Sequence, residues 1–207
     1  MNKKYSKKEE EFSGISDMLE GRHHVIPIMS NDDEEAAEKV DIPQILPILT
    51  LRSSVLFPGS ITPITVGREK SMKLVREVEG VGGILGAVLQ KEPEVEQPGP
   101  DDLYRIGTAA RILKVLEMPN GNLTVILHGL EKVEISEFVV SEPYFKASVA
   151  TLKDSAPDQN NIEFEALVDS IKDVALNIIN VSPQMPKEAT FAIKNIDNKR
   201  GIINFIC

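Results

Sequence analysis

The sequence predicts an α+β fold: a mostly antiparallel, closed or half-closed β-sheet carrying one helix, followed by the start of a helical subdomain. Three observations lead there. Short apolar runs separated by turn dipeptides fill the chain from Ile42 to Lys153. One stretch inside that region, after Gly67, switches to helical spacing. Beyond the polar segment LKDSAPDQNN, at Leu152 to Asn161, helical spacing takes over. The chain of 207 residues thus divides into a charged tail (1–41), a β subdomain (42–153) and the start of a helical subdomain (154–207) that reads as a truncated fragment.

The tail comes first. It holds 11 acidic and 6 basic residues, which accounts for −5 of the formal charge of −9. Its few large apolar groups bury too little surface to offset the entropy of ordering, so it is expected to be disordered. Val25 to Met29, VIPIM, reads as chance apolar residues or as a transient strand added to a sheet edge. The adjacent His23 and His24 lack a ligand spacing and read as solvated rather than as a metal site.

The stretch LPILTLRSSVLFPGSITPITVGREKS, Leu46 to Ser71, organises the β subdomain. Ile45 to Leu51 is an apolar run in which Pro47 cannot donate to a ladder, so it is expected at an edge or a strand entry. Arg52, Ser53 and Ser54 break the run, and Pro58-Gly59 pairs a fixed φ with a permissive one, so the chain reverses there. Phe57, just before the turn, is expected to bury its ring between sheet and helix. Ile61 to Val66 is the next strand. Gly67 opens a helix in which Met72, Val75 and Val78 recur on one face while Arg68, Glu69, Lys70 and Lys73 are solvated.

Ile84 to Gln90 has strand length, and Pro93, Pro98, Gly99 and Pro100 mark a surface loop. Tyr104 to Glu117 reads as a long bent strand ending in Met118-Pro119-Asn120-Gly121, since Asn-Gly between alternating apolar runs signals a hairpin. Leu123, Val125 and Leu127 share one face with His128 opposite; Val133 and Ile135, then Phe145, Ala147 and Val149, continue the alternation. Phe164, Leu167, Ile171, Val174, Ala175 and Ile178 then recur at threes and fours, with Asn160 or Asn161 as cap and Pro183 as stop. Pro186 and Asp197 open two more helices.

These residues carry a resemblance. The Leu46-Pro47 pair, the Leu51-Arg52 pair, Phe57-Pro58-Gly59 and the run from Gly67 through Ser71 closely resemble the opening of the amino-terminal domain of Lon, the ATP-dependent serine protease. PGPDDLYRIGTAARI (Pro98 to Ile112) and LTVILHGLEKVEI (Leu123 to Ile135) resemble the next blocks of that domain in the same order. The likeness runs from about Ile42 to the end; Gly80, Gly82, Gly83 and Gly201 depart from it. It implies a PUA-like sheet or pseudobarrel. It also implies a domain that recruits unfolded or damaged proteins for quality control, within a homohexameric AAA+ protease that uses ATP, magnesium and a serine-lysine dyad lying outside this chain.

The residues agree that chemistry is elsewhere. Gly82-Gly83-Ile84-Leu85-Gly86 is glycine-rich but lacks the lysine and hydroxyl of a phosphate cradle. No serine, histidine and acid or lysine can be assembled into a nucleophile and base, and Asp101-Asp102 reads as a solvated loop pair or a cap. No catalytic, cofactor or metal residue is expected in this chain. The single cysteine, Cys207, allows no internal disulfide, and no apolar run reaches membrane-span length, so the expected setting is the cytoplasm. An alternative, a free-standing PUA-like module for RNA or a small ligand, calls for a basic surface and exposed aromatics. Here the folded part is acidic, tryptophan is absent, and Tyr104, Tyr144 and Phe145 fall where core packing is the default. The same acidity gives no indication of DNA contact, which the resemblance allows for the parent protein. A recruiting domain needs exposed apolar surface with polar borders, and Arg68, Glu69, Lys70 and Lys73 are its candidate substrate-binding residues.

Overall fold

The structure, a computed structural model, describes residues 40–79, 83–153, 161–182, 188–196 and 199–206. The expectations for the tail, for Val25 to Met29 and for the histidine pair fall on residues outside these. So do Gly80, Gly82, Pro183, Pro186 and Asp197, and the boundary between 153 and 154 adjoins residues outside them.

Six strands, β1 (Ile45–Leu51), β2 (Ile61–Val66), β3 (Ile84–Leu89), β4 (Ile106–Glu117), β5 (Leu123–Val140) and β6 (Lys146–Thr151), form one sheet in the order β2-β5-β4-β3-β1-β6. Because β5 also pairs with β6, five strands close into a ring and β2 hangs on the first half of β5 as an extra edge. The 18 residues of β5 make this possible: Leu123 to His128 serve β2, and Val133 to Val140 serve β6. Every pairing is antiparallel except β1 with β3. Parallel neighbours need a crossover, and β2 with the helix α1 (Glu69–Glu79) supplies it.

Pro47 is accommodated differently from the edge position expected of it. β1 has neighbours on both sides, but Ile45 to Pro47 pair with β6 and Ile48 to Leu51 with β3, so the proline stands where one ladder hands over to the other. The bend expected in β4 is real: its register with β5 shifts at Ala109/Ala110 and at Ile112/Lys114. Gly121 closes the following hairpin at φ +82°, a left-handed conformation natural to glycine.

α1 turns Ser71, Leu74, Val75 and Val78 inward, where the apolar groups meet Leu49, Leu51, Leu123 and Leu127. A second core, with Leu46, Ile48, Val133 and Ala147, fills the other end of the ring. Leu56, not Phe57, belongs to the core: Leu56 is 1% exposed, while Phe57 is only half-buried beside the turn. Phe57→Ala is therefore expected to cost about 1 kcal/mol rather than the ~3–5 kcal/mol of a buried aromatic ring. A denaturation midpoint close to that of wild type would support this assignment; a loss of core magnitude would contradict it.

Beyond the sheet lie α2 (Ile162–Val181), α3 (Glu188–Asn195) and α4 (Lys199–Ile206). Asn161 caps α2, its Oδ1 accepting from Phe164 N at 3.0 Å. The buried stripe of α2 is not the one its period singles out. Val168 packs with Ile196 and Ile202, and Ile179 with Ala189 and Ile193, whereas Leu167, Ile171, Val174 and Ile178 are exposed. α2 is apolar on two faces, and among the described residues α3 and α4 cover one.

Candidate functional site

The end of β2, the start of α1, the 52–54 loop, the 96–100 loop and Ser141 to Phe145 enclose an open groove of about 1050 Å³. Half-buried Pro63, Pro100 and Phe145 contribute apolar surface to it above the buried Ile64, Val66 and Leu74, and Ser53, Glu69, Lys70 and Glu142 contribute polar groups. The position derives from the chain path. β2 is the hanging edge, α1 starts three residues after it ends, and both are carried across to β1.

Of the four candidate binding residues, the groove gathers Arg68, Glu69 and Lys70; Lys73, though exposed, is not among the residues that line it. Lys70 Nζ pairs with Glu142 Oε1 at 2.5 Å across the rim. Arg68 departs from the solvated state expected of it. Its guanidinium is half-buried and donates to Thr50 Oγ1 at 3.2 Å, Gln90 Oε1 at 2.6 Å and Val95 O at 3.1 Å. The Gln90 side chain, 1% exposed, donates in turn to Glu92 O at 2.6 Å and Val95 O at 3.0 Å. Arg68 thus ties β1, the end of β3 and the following loop to the start of α1. Burial, and next the field of Arg52, push its pKa down, while Glu96 acts the other way.

Tyr144 stands at the far wall. It is buried, and its hydroxyl donates to Glu77 Oε2 at 2.6 Å. That hydrogen bond to a carboxylate, then burial, push the phenol up to about 12, so it stays protonated at any physiological pH. The signature residues mostly build the frame. Leu46 and Leu51 are core, Arg52 lies at the groove, Gly59 turns at φ +78°, and Gly67 keeps its Cα within reach of Asn122, where a Cβ would come 3.0 Å from Oδ1.

A second, apolar cleft of about 460 Å³ is not foreshadowed by the sequence pattern. Val55, Tyr104 and Ile106 line it at 52%, 48% and 54% exposure, above Leu56 and Leu103. Tyr104 is therefore not the core residue that its strand pattern implied. The signal was available in its position beside the Pro98–Pro100 loop, where strand alternation begins only at Ile106. Among the described residues no three of His, Cys, Asp and Glu converge as a metal-binding group, and no helix is long and apolar enough to cross a membrane.

Comparison with known proteins agrees with this geometry. Residues 45–207 match the family described as the ATP-dependent protease La (LON) substrate-binding domain. Lon protease of Flavobacterium johnsoniae is 49% identical over 182 residues, covering 88% of this chain and 22% of that protein. Lon protease of Porphyromonas gingivalis is 40% identical over 197 residues, covering 93% of this chain and 23% of that protein. The chain therefore spans less than a quarter of the length of these relatives. The N-terminal domain of a Mycobacterium avium complex Lon protease superposes with a TM-score of 0.56 at 16% identity, over 77% of this chain and 80% of that one, which speaks to the fold. A six-stranded, ring-closed sheet, a matching family over nearly all the described residues and close sequence relatives lead to one conclusion: the chain belongs to the LON substrate-binding domain family.

Proposed function

We propose that this chain recruits unfolded or misfolded protein segments to an ATP-dependent serine protease of which it is the amino-terminal part, and that it does so through the groove at the start of α1. The observation that carries this reading is the groove itself: apolar side chains inside, charged groups at the rim, and a volume of about 1050 Å³. The ATPase and protease modules, with their ATP and magnesium, lie outside this chain, and the assembly is a cytoplasmic homohexamer. Several loosely binding copies in one ring deliver substrate through effective concentration, so each groove needs only modest affinity. A free-standing RNA-binding module is not favoured, because the family matched is a substrate-binding domain and the formal charge is −9.

The test reverses the rim charges, Glu69→Lys with Lys70→Glu, in the full-length enzyme. Degradation of an unfolded protein should fall severalfold while ATP hydrolysis and cleavage of a short peptide persist. Unchanged degradation would overturn the assignment of the groove, and a parallel loss of all three activities would assign the rim to assembly instead.

A further inference from the structure

We propose that the captured segment binds as an additional strand on the outer edge of β2, so that recognition runs through main-chain hydrogen bonds. This rests on the reading that the groove takes unfolded chain, and it specifies how the chain is held.

β2 is an edge strand whose sole partner among the described residues is β5. Parity tells which of its main-chain groups face outward. Gly129 N donates to Ser60 O at 2.9 Å, next to the register Ile61 with His128, and hydrogen-bonded and non-bonded pairs alternate along an antiparallel ladder. Thr62, Ile64 and Val66 therefore exchange bonds with β5, while Ile61, Pro63 and Thr65 turn theirs to the open side. Pro63 supports the same parity independently, because a proline is tolerated only where the ladder asks for no N–H. The outer edge thus offers N–H and C=O at Ile61 and Thr65 and a C=O at Pro63. None of the loop, turn or cap hydrogen bonds of the described residues takes them up.

This edge opens into the groove, which Pro63 to Val66 line, and Thr65 is exposed. Six residues of β2 at about 3.3 Å each run roughly 20 Å, the span of an equally long extended peptide. The facing wall suits the same occupant. Gln90 N donates to Leu51 O at 2.9 Å and Ile48 N to Phe145 O at 2.8 Å, so the β1 main chain at Thr50 faces away from β3 and toward the groove. An open edge is normally a hazard, because it pairs with any other edge. Here the edge opens into a groove that the start of α1 and the 96–100 loop also line. Strand addition also fits the task, because main-chain bonds give affinity to any extended sequence while shallow apolar contacts add preference.

The test uses the 207-residue chain and a fluorescent ten-residue peptide of alternating apolar and polar residues, followed by anisotropy, alongside the same peptide N-methylated at every residue. The methylated peptide keeps its side chains and loses its donors, and it is expected to bind at least tenfold more weakly. Thr65→Pro removes an outward N–H without touching the β5 ladder, so it should weaken the unmethylated peptide at least tenfold with little change in melting temperature. Equal binding of the two peptides, or a Thr65→Pro chain that folds and binds normally, would overturn strand addition. Should Thr65→Pro fail to fold, the peptide pair still decides. If the unmethylated peptide and an unfolded protein both fail to bind the wild-type chain, it is the proposed function that falls, a result distinct from failure of the strand mode.

Discussion

Gly129→Ala is expected to destabilise the fold at or above the roughly 3 kcal/mol upper end of overpacking costs. A Cβ built on Gly129 lies 2.2 Å from the Phe57 carbonyl oxygen, 3.0 Å from its carbon and 3.3 Å from Pro58 Cα. All three are backbone atoms of the turn, so no flexible side chain can yield. The turn is also bonded to this point from both sides, with Gly59 N donating to Gly129 O at 2.9 Å and Gly129 N to Ser60 O at 2.9 Å. Relief therefore requires moving the turn off β5, and with it the start of β2. For a chain of this size the loss corresponds to a fall in melting temperature of about 6–12 °C. Gly121→Ala provides the contrast: its Cβ would meet nothing within 4 Å, and only the positive φ opposes it, at about 1 kcal/mol. Melting curves of both variants check the ordering, and a Gly129→Ala protein as stable as Gly121→Ala would refute the contact between turn and strand.

Arg68→Ala is expected to cost about 2–4 kcal/mol, because hydrogen bonds from a charged donor contribute more than neutral ones and a buried acceptor left alone bears its full desolvation penalty. Gln90 Oε1 loses its 2.6 Å donor inside the protein, and the 91–98 loop loses the bond at Val95. Arg68→Lys should restore less than half, since one ammonium cannot reach Thr50, Gln90 and Val95 in the way the planar fork does. The loop should become the earliest site of limited proteolysis in Arg68→Ala. Wild-type stability together with an uncut loop would show that Arg68 is dispensable to the frame, and would return it to the solvated role its sequence context suggests.

Arg68 also marks the limit of what local sequence conveys. Its neighbours Glu69, Lys70 and Lys73 lie exposed as their helical spacing implies, because an amphipathic period states which face is wet. Arg68 sits one residue before α1, outside that period, and its partners are 18, 22 and 27 residues away in the chain. No local pattern reports such a contact. Leu56 and Phe57 make the same point: of these two adjacent apolar residues Leu56 is buried and Phe57 only half-buried, and the Leu56 carbonyl is held by Thr108, 52 residues away, whose Oγ1 donates to it at 2.6 Å. α2 adds a third case, since an apolar stripe shows that a face can be buried but not whether a neighbour covers it.

What the sequence determined by itself are the features written in short-range chemistry: a mostly antiparallel set of short strands and their turns, the helix after Gly67, an asparagine cap at 160 or 161 that the structure assigns to Asn161, and the family through its Leu-Pro, Phe-Pro-Gly and Gly-Arg-Glu-Lys-Ser runs. Period, proline and glycine act within a few residues, so they can be read in order along the chain. The tertiary structure alone decided the closure of β5 on β6, the handover at Pro47, the open edge of β2 beside the groove, and the seat of the turn on Gly129. Each depends on which distant strands lie side by side, and that is fixed by packing of the whole core rather than by any residue's own preference.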